Sequence, residues 1–517
     1  MDSLFFAALA PIIWLVIALI VLKLPAWQAC SVALIFAFIM SMNFFGMPLR
    51  DTATAALEGA TMAAWPIIWV IISAIFTYNL SVFTKGIETI KEMLNSVSTD
   101  QRVIILLIAW GFGGFLECMS GFGTAVAIGA SMLVSIGINP ISAIIVCLLA
   151  NAVQSSYGSI GLPLITLAQL TNFDGSQIAT FTTLQLSLMM IIMPFLMLVT
   201  FGGSLKALRG MIPACLVAGL GFLVPAVVAG KFMGAGLAGV AGAILSMGLI
   251  IAYAKMFPVK DEEYEVPPVE STSEITFEKG LKAWLPFILI FILLIVTSKL
   301  VPPVNDFLSQ FKTSIPIYTG EGAGLYTFTW IVTPGTLIMI SAIISGFVQG
   351  ATVSDMLSVL HRTVNTLIAT FITMITIIAT ARVMGYSGMI TTMAEVAVAA
   401  TGTLYPAISP LIGAAGSFIT GSATTSGVLF GKLQADAALA IGANEVGQSW
   451  MAAANAAGAC VGKIISPQSI AIGVAAVGLR GVESQIMSFA IKVFIPFIIM
   501  MGAIVYFGES FVSAIVG

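Results

Sequence analysis

The stretch GFGGFLECMSGFGTAVAIGA (111–130) places one acid, Glu117, among glycines inside a long apolar region. A carboxylate at that depth costs about 2.5–3.5 kcal/mol even on a lenient insertion scale. It is therefore expected to face protein or water, where it can bind and release a proton. The competing reading is an acid that only satisfies nearby backbone groups. Gly121 and Gly123 favour the first, because glycines can leave helical geometry and free backbone groups for a ligand.

A second break, ITGSATTSG (419–427), offers Ser422, Thr424, Thr425 and Ser426 between glycines, but no acid. Hydroxyls and unwound backbone N–H groups bind carboxylates, above all at the amino end of a half-helix. Taken singly, such hydroxyls often bond the preceding turn of their own helix. Lys463, in GKIISPQS (462–469), is a cation in an otherwise apolar stretch, as an anion site near the membrane centre would require. Snorkelling to an interface is its alternative. Arg382, in IATARVMGYSG, poses the same choice. Asn151 and Asn455 can donate and accept inside a low-dielectric site, or bridge helices structurally.

Other patterns exclude chemistry. GACVGKI (458–464) has the lysine of a phosphate loop but one residue too few and no Ser or Thr after it, so ATP is not implied. His361, the only histidine, sits beside Arg362 at an expected interface. The sequence shows no His/Cys/Asp cluster for a metal, no nucleophile–base pair for an enzyme and no basic patch for nucleic acid. Cys30, Cys118, Cys147, Cys215 and Cys460 are scattered and read as buried free thiols. No cofactor is expected.

The elements that hold these residues must be membrane helices. Hydrophobic residues make up 59 % of the 517 and charged residues 8 %, against about a quarter charged in soluble domains. A span needs about 20 mostly apolar residues, and by that measure the chain offers about 12 to 14. The first apolar run lacks the charge pattern of a cleavable signal and reads as the first span. A polar surface linker over 257–282 divides two transmembrane halves, 1–256 and 283–517. In the polar connection 84–102, Ile87, Ile90 and Leu94 fall at helical spacing, as in a short amphipathic helix on the membrane surface. Lys23, Lys85, Lys91 and Arg102 fall on one side, with Arg50 opposite. The positive-inside rule assigns that side to the cytoplasm and the amino terminus to the outside.

The halves carry a repeat. In LLANAVQSSYGSIGLP (148–163) and AAANAAGACVGKIISP (452–467), the pairs Asn151 and Asn455, Gly158 and Gly462, Pro163 and Pro467 are each 304 positions apart. A small-residue break precedes each segment. Two repeats with paired broken segments point to the binding site of a secondary transporter.

With these residues in hand, the chain resembles the bacterial L-lactate permease family. The resemblance is carried by WPIIW (65–69), STDQR (98–102), FLECMSGFGT (115–124), YSGM (386–389), FITGS (418–422) and GKIISPQSIA (462–471), in that order. It implies a symporter that brings in lactate, glycolate or related 2-hydroxy monocarboxylates with a proton. It also implies inverted repeats, re-entrant hairpins near 111–130 and 409–431, and an elevator-like motion. By resemblance, Glu117, Gly121, Gly123 and Thr124 belong to the first hairpin motif, and Thr420, Gly421, Ser422, Thr425 and Ser426 to the second. Lys463, Ser466, Pro467 and Gln468 hold the last. The chain departs from the family pattern at Cys118, Ala125, Ala423, Gly427 and the AVQSSYG that follows Asn151.

The expected protein is thus an all-α polytopic carrier of the bacterial cell membrane. The substrate carboxylate is expected among Ser422, Thr425, Ser426 and Lys463, its hydroxyl near Asn151 and Asn455, and the coupled proton on Glu117. A Na⁺-coupled carrier is the first alternative, since backbone carbonyls and asparagines hold Na⁺ without a dedicated acid. A charge-lined anion channel is the second. The expected partners are a monocarboxylate anion, a proton and the lipid bilayer, with a homodimer as the assembly to test.

Overall fold

The computed structural model describes residues 2–121, 123–259, 261–265, 276–298 and 300–516. The first half runs through α1 (Asp2–Val16), α2 (Ala26–Asn43), α3 (Leu49–Met62), α4 (Trp69–Phe83), α5 (Gly86–Asn95), α6 (Gln101–Ile105), α7 (Gly113–Ser120) and α8 (Thr124–Ser135). It continues through α9 (Pro140–Gln154), α10 (Gly158–Thr171) and α11 (Gly175–Gly202), and then α12 (Ile212–Met233) and α13 (Ala235–Met256). The second half opens with α14 (Phe277–Val296) and α15 (Pro302–Leu308), followed by an antiparallel hairpin of β1 (Lys312–Pro316) and β2 (Leu325–Thr329). It closes with α16 (Pro334–Val348), α17 (Val353–Tyr386), α18 (Met389–Thr401), α19 (Tyr405–Thr420), α20 (Ala423–Ala440), α21 (Glu445–Lys463), α22 (Pro467–Ala476) and α23 (Glu483–Val516).

Among the described residues, 12 helical segments are long and apolar enough to cross a membrane, and the bent pair α21–α22 raises this to 13. The chain is a polytopic membrane protein, as its composition implies, and is helical throughout apart from the β1–β2 hairpin among the described residues. The same order of elements occurs twice. The α3–α4 span, α5, α6–α7, α8, broken α9–α10 and α11 recur as α17, α18, α19, α20, broken α21–α22 and α23, with α17 starting 304 positions after α3. Local chemistry sets the boundaries. Asn139, Asp174, Ser422 and Asn444 cap α9, α11, α20 and α21 by accepting from first-turn N–H groups.

Three sequence expectations are sharpened. α14 begins at Phe277, earlier than residue 283, while residues 266–275 of the polar linker lie outside the described ones. The amphipathic helix is present as α5, but Ile87, Ile90 and Leu94 are buried against α4 and α14. Arg102, read as a surface cation, is fully buried.

Arg102 ties three loops together. Its Nη2 lies 2.7 Å from Asp100 Oδ2, and its Nη1 lies 3.4 Å from Asp261 and donates to the Arg209 carbonyl at 3.0 Å. The Tyr264 ring covers the guanidinium at 4.4 Å. Truncating one partner of a buried pair leaves the other charge uncompensated, a loss of about 3–5 kcal/mol. Arg102→Ala is therefore expected to lower the melting temperature in detergent sharply; an unchanged melting curve would show that the tie is dispensable.

Candidate functional site

A cavity of about 320 Å³ lies where the two hairpins meet the two broken helices. The α7–α8 turn contributes Glu117, Gly121 and Gly123, and the α19–α20 turn contributes Thr420, Gly421, Ser422, Thr424 and Thr425. From the breaks come Ser155, Gly158 and Ser159 on one side, and Lys463, Gln468 and Ser469 on the other. α2 and α17 form the remaining wall with Trp27, Cys30, Thr370 and Thr373.

The backbone explains why glycines stand at both tips. Gly121, Gly123 and Gly421 have φ of 64°, 81° and 69°, a region that side chains with a Cβ avoid. Space is short as well. A Cβ on Gly121 would come within 2.6 Å of Ser159 Oγ, and one on Gly421 would strike the Gln468 side chain. In the α9–α10 break, Ser159, Ile160 and Gly161 are left-handed in succession, at roughly 1–2 kcal/mol for each non-glycine. α8, α10, α20 and α22 all start at this cavity. The positive dipole ends of α8, α20 and α22 therefore lie at one place, a setting for an anion.

One ion pair dominates the electrostatics. Lys463 Nζ donates to Glu117 Oε1 at 3.0 Å, both side chains are buried, and the partners are 346 positions apart. The second oxygen, Oε2, has no hydrogen-bond partner. The acid comes from the first half and the cation from the second, so neither half alone builds a neutral site. Among the described residues, no group of His, Cys, Asp or Glu is placed to hold a metal ion.

The L-lactate permease family model matches residues 4–512. The chain belongs to the L-lactate permease family. It is 39 % identical over 453 residues to an L-lactate permease of Streptococcus iniae, covering 88 % of this chain and 94 % of that one. The glycolate permease GlcA of Escherichia coli (strain K12) is 32 % identical over 531 aligned residues, covering 96 % and 94 %. An L-lactate permease of Bacillus subtilis (strain 168) is also 32 % identical, covering 94 % and 92 %. Among solved structures, the Alcanivorax borkumensis YdaH transporter, described as having an unusual topology, is similar with a TM-score of 0.51. At 13 % identity, over 93 % of this chain and 98 % of that one, the likeness is one of fold. Family and spans together make this a multi-pass cell-membrane protein.

Not every expected residue offers a free group to the permease cavity. Thr420 spends its hydroxyl on the Gly416 carbonyl at 2.7 Å, and Ser422 caps α20 by accepting from Thr425 N–H at 3.1 Å. Asn455 and Ser426 lie behind the lining. Asn455 Nδ2 donates to Ser426 Oγ at 3.4 Å, and Ser426 donates to the Gly413 carbonyl at 2.7 Å. Thr124 stays on its own turn, donating to the Gly121 carbonyl at 2.8 Å. Asn151 and Ser466 are buried outside the lining, and the Asn151 amide nitrogen and the Ser466 hydroxyl have no partner. Arg382 sits away from this cavity, 3.5 Å from Glu58 of α3.

The sequence reading misses Ser155, Ser159, the α2 and α17 wall, and Glu58. The α17 wall did leave a signal. Thr366, Thr370, Thr373, Thr376 and Thr380 form a hydroxyl stripe at helical spacing on an apolar span. Thr373 still bonds its own helix, donating to Ala369 at 2.8 Å.

Proposed function

We propose that this permease is a secondary carrier that moves L-lactate, glycolate or a related 2-hydroxy monocarboxylate together with a proton by alternating access. The observation that carries this reading is the Lys463–Glu117 pair in the cavity wall. An entering carboxylate needs the Lys463 ammonium, and Glu117 occupies it. Protonating Glu117 releases Lys463, and the substrate takes its place. The empty, paired site is neutral; so is the site holding one anion and one proton. Either ligand alone leaves a net charge in a low-dielectric passage, penalised by several kcal/mol. Only the neutral forms cross readily, which couples the two fluxes. The relatives' names, permeases for lactate and glycolate, agree with this substrate class.

We read residues 1–256 and 283–517 as inverted repeats, with α7–α8 and α19–α20 as re-entrant hairpins. In support, two spans separate Lys23 from Lys85 and Arg102, so α1 ends on the face where α14 begins, beside the 261–265 segment bound to Arg102. α1 and α14 therefore enter from opposite faces. The face with Lys23, Lys85 and Lys91 is read as cytoplasmic. The cavity lining extends to Pro25 and Trp27 next to Lys23, so the conformation is read as inward-open.

Proteoliposomes test this. An inside-alkaline gradient is expected to accumulate labelled L-lactate about tenfold or more, and internal unlabelled glycolate should drive counterflow. Accumulation that follows a Na⁺ gradient at equal pH would replace the proton by Na⁺; absent counterflow would replace the carrier by a channel.

A further inference from the structure

A second cavity, of about 570 Å³, lies along the same helices as the first. α10, α17 and α20 line both: Pro163, Thr373 and Thr425 face the central cavity, and Thr171, Arg382 and Lys432 face the other. The steps from 163 to 171 and from 373 to 382 are about two helical turns, roughly 12 Å along the axis. The three helices thus form one seam with a cavity at each end.

Arg382 bridges that seam. From α17 its Nη2 donates to the Gln169 carbonyl in the last turn of α10 at 3.3 Å. Its acid partner, Glu58 of α3, lies 3.5 Å from Nε and also accepts from the Tyr386 hydroxyl at 2.8 Å. Arg382 Nε, buried beside Glu58, makes no hydrogen bond. The other lining cation, Lys432, is taken by Asp436 at 2.9 Å, and Glu321 adds an acid to the rim. Nη2 also meets the weakly accepting Met62 Sδ of α3 at 3.5 Å, and neutral acceptors such as these are replaceable. A carboxylate is a better one, because its hydrogen bonds to a guanidinium are charge-assisted and can be bidentate.

We propose that Arg382 is a gate opened by the substrate's own carboxylate. Closed, it holds the Gln169 carbonyl and seals the seam. A monocarboxylate staged in the second cavity takes over the guanidinium and frees α10 to part from α17. This rests on the carrier reading above, and it makes the second cavity a waiting site for the same class of anion. Arg382 does not line the central cavity, so it positions and admits substrate without being part of the central site.

The test compares wild type with Arg382→Lys and with Glu58→Gln/Arg382→Gln, which removes both charges together and leaves no buried acid unpaired. L-lactate binding at the central site of the purified proteins, by calorimetry, is expected to stay within about threefold of wild type. The KM for uptake by cells is expected to rise about tenfold or more in the double variant and to recover in part with Arg382→Lys. A wild-type KM in the double variant overturns the gate alone. Loss of binding alongside uptake also overturns it, by placing Arg382 in the central site or the fold. Failure of the wild-type protein to bind L-lactate or glycolate overturns the carrier reading and the gate together.

Discussion

Cells carrying Lys463→Met are expected to lose L-lactate uptake, and the purified variant to bind the anion about 100-fold more weakly. Removing one member of a buried, hydrogen-bonded charge pair costs about 2–5 kcal/mol, and each 1.4 kcal/mol is a factor of ten. Methionine keeps the length and apolar stem of the lysine, so the α21–α22 break should stay packed. It leaves Glu117, however, without its cation. The companion variant Glu117→Gln/Lys463→Met removes both charges, and is expected to melt near wild type while still failing to bind. Wild-type affinity in the double variant would assign the carboxylate to the helix ends alone and remove Lys463 from the site.

Glu117→Gln should separate exchange from net transport. With glutamine in place, the empty site carries the charge of Lys463, and the anion-loaded site is neutral. The loaded form can cross in both directions, so counterflow is expected within about threefold of wild type. The empty form must return with an unpaired ammonium, against a penalty of several kcal/mol. The initial rate of net pH-driven uptake is therefore expected to fall about 100-fold. Full accumulation by this variant, measured in the same vesicles that show counterflow, would place the coupled proton elsewhere.

What the sequence reveals about this site divides by range. Span length and the glycine-rich breaks are local, and long apolar helices and positive φ stand where they are read. Positive φ at Gly121, Gly123 and Gly421 is the backbone form of a signal already present in composition. The Lys463–Glu117 pair is not local, and nothing along the chain links two residues so far apart. Symmetry between the halves suggests a substrate role for Asn151 and Asn455. Helix packing turns both away from the cavity lining, and Asn455 supports Ser426 there. Glu58 escapes notice because LRDTATAALEGATM looks like a polar edge, whereas the span already begins at Leu49 and buries the acid. The strands β1 and β2 are short, exposed or half-exposed segments between spans, and a search for apolar periodicity passes over them.

The two broken helices share a frame but not their charges. The position matching Lys463 in the first half is Ser159, and the second hairpin, 409–431, contains no acid. Two halves with the same charges would bring two acids and two lysines to one small cavity; here the halves supply one of each. Under the proposed mechanism one pair exchanges with one anion and one proton. A one-to-one stoichiometry is then a consequence of the charge asymmetry between the halves.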